Sequence, residues 1–158
     1  MSERLIRRAT SSDEPFLFEM VYEALFVAPG DDPFPRSVLD VPQIAHYAKG
    51  FGRVGDRGLV AEAVDGVPIG AAWVRRYSSH DPAFGYVDDE TPELSIAVVA
   101  EHRGTGLGTE LLIQLIAEVP RCCLSVDRRN PALRLYERLG FETVERNDDS
   151  LTMLRAGW

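Results

Sequence analysis

Lysine is almost missing from this chain: Lys49 is the single one among 17 basic residues, so arginine supplies nearly all the positive charge. Set against 25 acidic residues, this leaves a formal net charge of −8 at pH 7. That balance argues against the basic patch on which non-specific nucleic-acid binding depends. It suits a cationic substrate, and it serves solubility equally well. Cysteine is scarce too. Cys122 and Cys123 are adjacent inside an apolar run, which is poor geometry for a mutual disulfide and not a metal-site spacing. They are expected to be buried as small hydrophobes and to play no nucleophilic part, and no metal is expected. No apolar run approaches the ~20 residues of a membrane span. The first residues, Met1-Ser-Glu-Arg-Leu-Ile-Arg-Arg, have no signal-peptide core, so a cytoplasmic protein without a membrane partner is expected. No internal repeat, low-complexity segment or linker interrupts the 158 residues. That length accommodates one domain with a proper core, spanning residues 1–158, and is too short for two ordinary ones.

What the chain does contain is a strand, a glycine turn and a helix in immediate succession. Leu94 to Val99 is short and rich in Ile and Val, as a buried strand is. Gly104, Gly106 and Gly108 then alternate with Thr105, Leu107 and Thr109. Such a turn lets the backbone take positive φ and lets a ligand approach the main chain closely. From Leu107 the apolar residues Leu107, Leu111, Leu112, Leu115 and Ile116 fall at helical spacing. The unpaired N–H groups of that helix's first turn and its dipole would favour phosphate in the glycine turn. A P-loop would need lysine after its last glycine, and Gly108 is followed by Thr109. A dinucleotide site would need GxGxxG with an acidic residue about 20 positions on; the glycines here run GxGxG, but Asp127 stands at that distance, so this alternative stays open.

Along the rest of the chain, residues 4 to 10 read as a first strand. Ser11-Ser-Asp-Glu14 has the form of a capping box, with Pro15 suited to the first turn of a helix running to about Phe26. Val38 to Ala48 reads as a second helical segment limited by Pro42. Leu59 to Val64 and Ile69 to Tyr77 flank Asp65-Gly66 as a hairpin. The loop from Ser78 to Pro92 carries His80, Asp81, Asp88, Asp89 and Glu90, which suit a solvated hairpin end and also have the chemistry to meet an amine. Arg121 to Val126 is a further buried strand, Asn130-Pro131 opens a last helix ending at Gly140, and Phe141 to Arg146 with Leu151 to Leu154 close the chain as a hairpin.

Two stretches carry a family resemblance. Arg103-Gly-Thr-Gly-Leu-Gly has the form R/Q-x-x-G-x-G/A and resembles the acetyl-CoA pyrophosphate loop of the GNAT superfamily of N-acyltransferases. Leu124-Ser-Val-Asp-Arg-Arg-Asn-Pro-Ala-Leu-Arg-Leu-Tyr-Glu-Arg-Leu-Gly-Phe141 resembles the second signature of that family, an Asn before a helix bearing Tyr and ending in Gly-Phe. The element order β, α, α, β, β, β, α, β, α, β, β is similar to the whole fold. The resemblance therefore implies an α/β (α+β) architecture: a mixed sheet of about seven strands, helices on both faces, and strands 4 and 5 splayed to admit the cofactor.

The resemblance also implies roles. Acetyl-CoA would be the cosubstrate. Main-chain groups around Ile96, Ala97 and Val98 would meet its pantetheine amides, and Gly104, Thr105, Gly106, Leu107, Gly108 and Thr109 its pyrophosphate, with Arg103 nearby. Asn130 would bond the pantetheine arm. Tyr136 matches the general acid of the family, and Glu93 a carboxylate that some members use as base. An alkylamine with a pKa of about 10.4 must lose a proton to attack, and the departing thiolate must gain one. The sequence departs from the pattern at Ala100, where a Pro is common, at Ser125, where some relatives carry a Glu, and at Asn130, which lies six residues before Tyr136 rather than seven. The expected activity is direct transfer of acetyl to a primary amine, on a small molecule or a peptide, in a ternary complex. A non-catalytic acyl-CoA-binding sensor or assembly module is the alternative. Dimers are common in such folds, so a homodimer is compatible.

Overall fold

A computed structural model of the chain describes residues 4–157. The two ends of the expected 1–158 domain, including the start of the N-terminal segment read for a signal core, lie outside the described residues. Seven strands form one sheet in the order β1-β2-β3-β4-β5-β7-β6. They are β1 (Arg4–Arg8), β2 (Arg57–Ala63), β3 (Pro68–Arg75), β4 (Glu93–Val98), β5 (Arg121–Asp127), β6 (Glu142–Arg146) and β7 (Ser150–Ala156). Helices α1 (Glu14–Ala24), α2 (Pro42–Ala45), α3 (Leu107–Glu118) and α4 (Leu133–Arg138) connect them in the expected order. Every neighbouring pair is antiparallel except β4 and β5. A dinucleotide-binding unit needs a parallel sheet, so that alternative falls.

Strand alternation sends successive side chains to opposite faces, and the two faces carry separate cores. On one, Leu107, Leu111, Leu112, Leu115 and Ile116 of α3 and Tyr136 of α4 pack on Leu59, Ala72, Val74, Leu94, Leu124 and Val126. On the other, Leu17, Met20 and Val21 of α1, with Ile44 and Tyr47, cover Val60, Ala71, Trp73 and Ala97. The five α3 residues are those picked out by helical spacing, and burying each contributes about 1.5–3 kcal/mol. Cys122 and Cys123 are both free and buried; burial pushes the Cys122 thiol up to about 12 and that of Cys123 further in the same direction. Neither is a nucleophile at neutral pH.

The N-terminal helix differs from expectation in its start. The reciprocal cap is made by Thr10 and Asp13, whose carboxylate accepts the Thr10 N–H at 2.7 Å, around a 3₁₀ turn at Ser11–Asp13. The second helical segment differs more. Val38 to Ala48 is not one helix but a 3₁₀ turn, Arg36–Asp40, followed by the single turn of α2. The break falls at Val41, whose backbone is extended before Pro42 (φ −69°, ψ 123°). Around the C-terminal end of the segment His46 O and Lys49 O accept from Arg75 Nη1 at 3.0 and 2.7 Å, and Tyr47 O accepts from Trp73 Nε1 at 2.8 Å. α4 starts at Leu133 rather than at Asn130-Pro131, because Asn130 Oδ1 accepts the Ala132 N–H at 2.9 Å and turns the chain first. Among the described residues no helix is long and apolar enough to cross a membrane.

Candidate active site

The site is set by where β4 and β5 part. β4 pairs with β3 along its whole length, from Glu93 opposite Arg75 to Val98 opposite Gly70. Its pairing with β5 is confined to Glu93 opposite Cys123, where Cys123 N–H donates to Pro92 O at 3.0 Å. β5 then follows β7 through seven residue pairs, Arg121 to Asp127. A wedge therefore opens between the two strands beyond Glu93.

Register decides which groups face this wedge. Val99 N–H donates to Ile69 O at 2.9 Å, and bonding alternates along an antiparallel strand. Ala97 and Ser95 thus bond β3, while the main-chain N–H and C=O of Ile96 and Val98 face the wedge. The carbonyl of Val98 accepts from Arg103 Nε at 3.1 Å. Ala97 projects its side chain into the α1/α2 core, so its main chain and its side chain are both committed elsewhere.

At the wide end of the wedge lies the glycine turn. Gly104 and Gly106 have φ of +75° and +82°, and Gly106 caps α3 in the left-handed region. A side chain at Gly106 would meet no protein atom, so the backbone conformation, not space, is what calls for glycine there. The first α3 bond is from Glu110 N–H to Gly106 O, at 3.0 Å. Among the described residues, the six consecutive N–H groups of Gly104, Thr105, Gly106, Leu107, Gly108 and Thr109 find no acceptor. Six adjacent unpaired amides at the mouth of a 12-residue helix make an anion cradle. Thr105 Oγ1 donates to His102 O at 2.7 Å. Arg103 also pairs with Glu23 of α1 at 2.8 Å, so its guanidinium ties the turn to α1.

Tyr136 lies on α4 in the core of the α3 face, 8% exposed, with its ring edge-on to Phe141 at 5.8 Å. No described residue hydrogen-bonds its hydroxyl, and desolvation pushes the phenol up to about 12. Glu93 is at the narrow end, 3% exposed. Its Oε2 accepts from Tyr47 OH at 2.6 Å and its Oε1 from Gly85 N–H at 2.8 Å. Burial outweighs these two bonds and pushes the carboxyl up to about 7. Asn130, half-buried, uses its Oδ1 to cap the turn before α4. The structure thus brings Glu93, Ile96, Val98 and residues 103–109 together along one strand and its following turn.

Tyr47 and Gly85, which hold Glu93, were not indicated by the sequence. Tyr47 lies in the segment that reads as helical and Gly85 in the loop from Ser78 to Pro92, and neither spacing points to a contact with Glu93, 46 and 8 residues later. Of the acidic residues of the Ser78 to Pro92 loop, Asp88 accepts from the N–H groups of Glu90 and Thr91 at 2.9 and 2.8 Å, and Asp81 bonds His46 Nδ1, 35 residues earlier, at 3.1 Å. A groove of about 590 Å³ beside His46 and Tyr77 carries both signs, since Asp40, Asp81, Lys49, Arg53 and Arg76 all line it. The net charge of −8 is not concentrated there.

A seven-stranded mixed sheet parted at one parallel pair, with an anion cradle at the end of the parting strand, defines the acetyltransferase fold class expected above. The profile of the acetyltransferase (GNAT) family matches residues 18–141, and the chain belongs to that family. Among solved structures, the Salmonella typhimurium protein yncA with its cofactor acetyl-CoA is similar at 26% identity and TM-score 0.64, over 99% of this chain and 94% of that one. Ribosomal-protein-alanine N-acetyltransferase from Brucella melitensis is similar at 26% identity and TM-score 0.63, over 96% and 99%. The PaiA N-acetyltransferase of Thermoplasma acidophilum in complex with coenzyme A shares the fold at 15% identity and TM-score 0.64, over 99% of both chains. No curated protein sequence matches the chain.

Proposed function

We propose that this protein is an N-acetyltransferase that moves the acetyl group of acetyl-CoA directly to a primary amine, without an acyl-enzyme. The observation that carries the proposal is the run of six unpaired amides at Gly104 to Thr109 beside a strand whose Ile96 and Val98 main chain also lacks a partner strand. The residues fit the cofactor: the cradle would hold its diphosphate, and the Ile96 and Val98 groups would bond the amides of its pantetheine arm. Bound there, acetyl-CoA supplies an acyl group already activated as a thioester.

The chain's own residues would then handle protons. Glu93, with a carboxyl at about 7, is half ionised at neutral pH and is suited to take a proton from the amine. Tyr136 stays protonated to about 12 and holds the proton that the leaving sulfur needs. In water a phenol could not fully protonate a thiolate of pKa about 8.5. In this interior the mismatch shrinks, because the same desolvation that raises Tyr136 raises a thiol, as Cys122 at about 12 illustrates. The acyl acceptor is a small-molecule or peptide amine, and the cytoplasm, where acetyl-CoA is available, is the proposed location. That one relative acts on a ribosomal protein's alanine makes a peptide N-terminus a reasonable first acceptor to try.

Thermal unfolding with CoA, acetyl-CoA and NAD tests the binding step. Both CoA species are expected to raise the midpoint and NAD to leave it unchanged. Gly106→Val, which forces a β-branched residue into left-handed backbone at a cost of about 1–2 kcal/mol and places methyl groups in the cradle, is expected to weaken CoA at least about tenfold. A folded Gly106→Val protein binding CoA as the wild type does would remove the cradle from the account. Turnover tests the base. With an active amine, the wild-type rate is expected to fall as pH drops below about 7, where Glu93 takes up its proton, and to level off above. Glu93→Gln is expected to be slower by about 10² and to keep gaining rate with pH towards the amine's own pKa. If the variant levels off at the wild-type pH, Glu93 is not the base.

A further inference from the structure

Between β3 and β4 the segment from Ala83 to Tyr86 is bound to the narrow end of the wedge, on the face covered by α1 and α2. Gly85 N–H donates to Glu93 Oε1 at 2.8 Å, and Phe84 N–H donates to Tyr47 OH at 2.9 Å. Tyr47 OH in turn donates to Glu93 Oε2 at 2.6 Å, and its ring stacks on that of Phe84 at 6.3 Å and 18°. One buried carboxylate and one tyrosine therefore clamp two successive amides. The clamped backbone lies directly on β5: a Cβ added at Gly85 would stand 2.7 Å from Leu124 C, 2.8 Å from Leu124 O and 2.8 Å from Ser125 N. Leu124 and Ser125 are the first two residues past Cys123, where β4 and β5 part. On the opposite face the same level is filled by Leu94 and Leu124, 4% and 2% exposed.

We infer that the Ala83–Tyr86 segment, held by Tyr47 and Glu93, is a stop at the end of the acyl slot that restricts the transferred group to short chains such as acetyl. The inference rests on the cofactor lying in the wedge as proposed above. With the diphosphate at the wide end, the acyl group arrives at the narrow end, where strand pairing closes the floor and Gly85 closes one side. An acyl chain of several more carbons has no path there unless the segment lifts off β5, which breaks its bonds to Glu93 and Tyr47.

Isothermal titration of purified protein with CoA, acetyl-CoA and octanoyl-CoA tests this. CoA and acetyl-CoA are expected to bind comparably and octanoyl-CoA at least about tenfold more weakly. Two variants attack the stop independently. Tyr47→Phe removes the hydroxyl that bonds both Phe84 and Glu93, and Gly85→Ala drives a methyl group into rigid β5 backbone. Each, with a wild-type circular dichroism spectrum, is expected to narrow the ratio of octanoyl-CoA to acetyl-CoA affinity at least about threefold. Octanoyl-CoA binding to the wild type as tightly as acetyl-CoA overturns the inference, as does an unchanged ratio in folded Gly85→Ala. Failure of the cofactor reading is distinguishable, since CoA without any acyl group would then not bind; that result would overturn both.

Discussion

Tyr136→Phe is expected to reduce acetyl transfer by about 10²–10⁴, the usual contribution of a positioned proton donor, while leaving CoA affinity within about twofold. The split follows from the site. The phenol hydroxyl has no protein partner to lose among the described residues, and the ring, packed against Phe141 in the α3-face core, is retained in the variant. Deleting an unpartnered hydroxyl should not destabilise the fold, so any loss of rate reports chemistry. Thiol release over an amine panel measures it, with titration of CoA as the control. Equal rates in wild type and variant would leave Tyr136 as a packing residue. Tight CoA binding by a wild type that releases no thiol with any amine would favour a binding module over an enzyme.

Asp56→Ala is expected to cost about 3–5 kcal/mol, the penalty for stranding a buried charge, although Asp56 is remote from the cradle. Asp56 and Arg75 form an ion pair at 3.1 Å with side chains 2% and 1% exposed. Arg75 also donates to His46 O and Lys49 O. Asp56 accepts from the N–H groups of Gly52 and Arg53, each at 2.9 Å. Alanine leaves the guanidinium enclosed over the Phe51 ring and orphans two amides together. For a domain of this size each kcal/mol lowers the unfolding midpoint by about 2–4 °C, so a drop of roughly 10 °C is expected by circular dichroism. The double variant Asp56→Leu with Arg75→Met removes both charges and should recover the part of the loss that comes from the stranded guanidinium. It should not recover the part from the Gly52 and Arg53 amides and the His46 and Lys49 carbonyls, which stay without their side-chain partners. A single variant within about 1 kcal/mol of wild type would mean water already reaches the guanidinium. Arg75 sits opposite Glu93 in the sheet, so this pair also fixes the end of β3 against which the narrow end of the wedge is built.

What could be read from residues alone was what local chain geometry decides. The α3 stripe from Leu107 to Ile116 and the glycine turn before it are near neighbours in sequence, and their spacing specifies both the helix and its cradle. The parting of β4 from β5 was expected only through family resemblance, because it depends on where a strand 28 residues later comes to lie, and nothing in Leu94 to Val99 encodes that. The segment from Val38 to Ala48 has the apolar spacing of a helix. Pro42 holds Val41 extended and breaks that helix after the 3₁₀ turn, while the use of the His46, Tyr47 and Lys49 carbonyls by Arg75 and Trp73, 26 to 29 residues away, is tertiary and left no mark in the segment. The environment of Glu93 was hidden for the same reason. A glutamate opening a strand reads as solvated; only the folded chain brings Tyr47, 46 residues earlier, within 2.6 Å of it.

The single rung at Glu93 and Cys123 divides the sheet mechanically into a panel of four strands and a panel of three. A molecule bonded to the main chain of Ile96 and Val98 would act as the missing edge of the first panel and brace it against the second. Occupancy and rigidity would then rise together: at a hundred times its dissociation constant such a ligand adds about 2.7 kcal/mol to the folded state by mass action alone. The empty protein would be the looser of the two forms, and the seam between the panels would be the place where it loosens first.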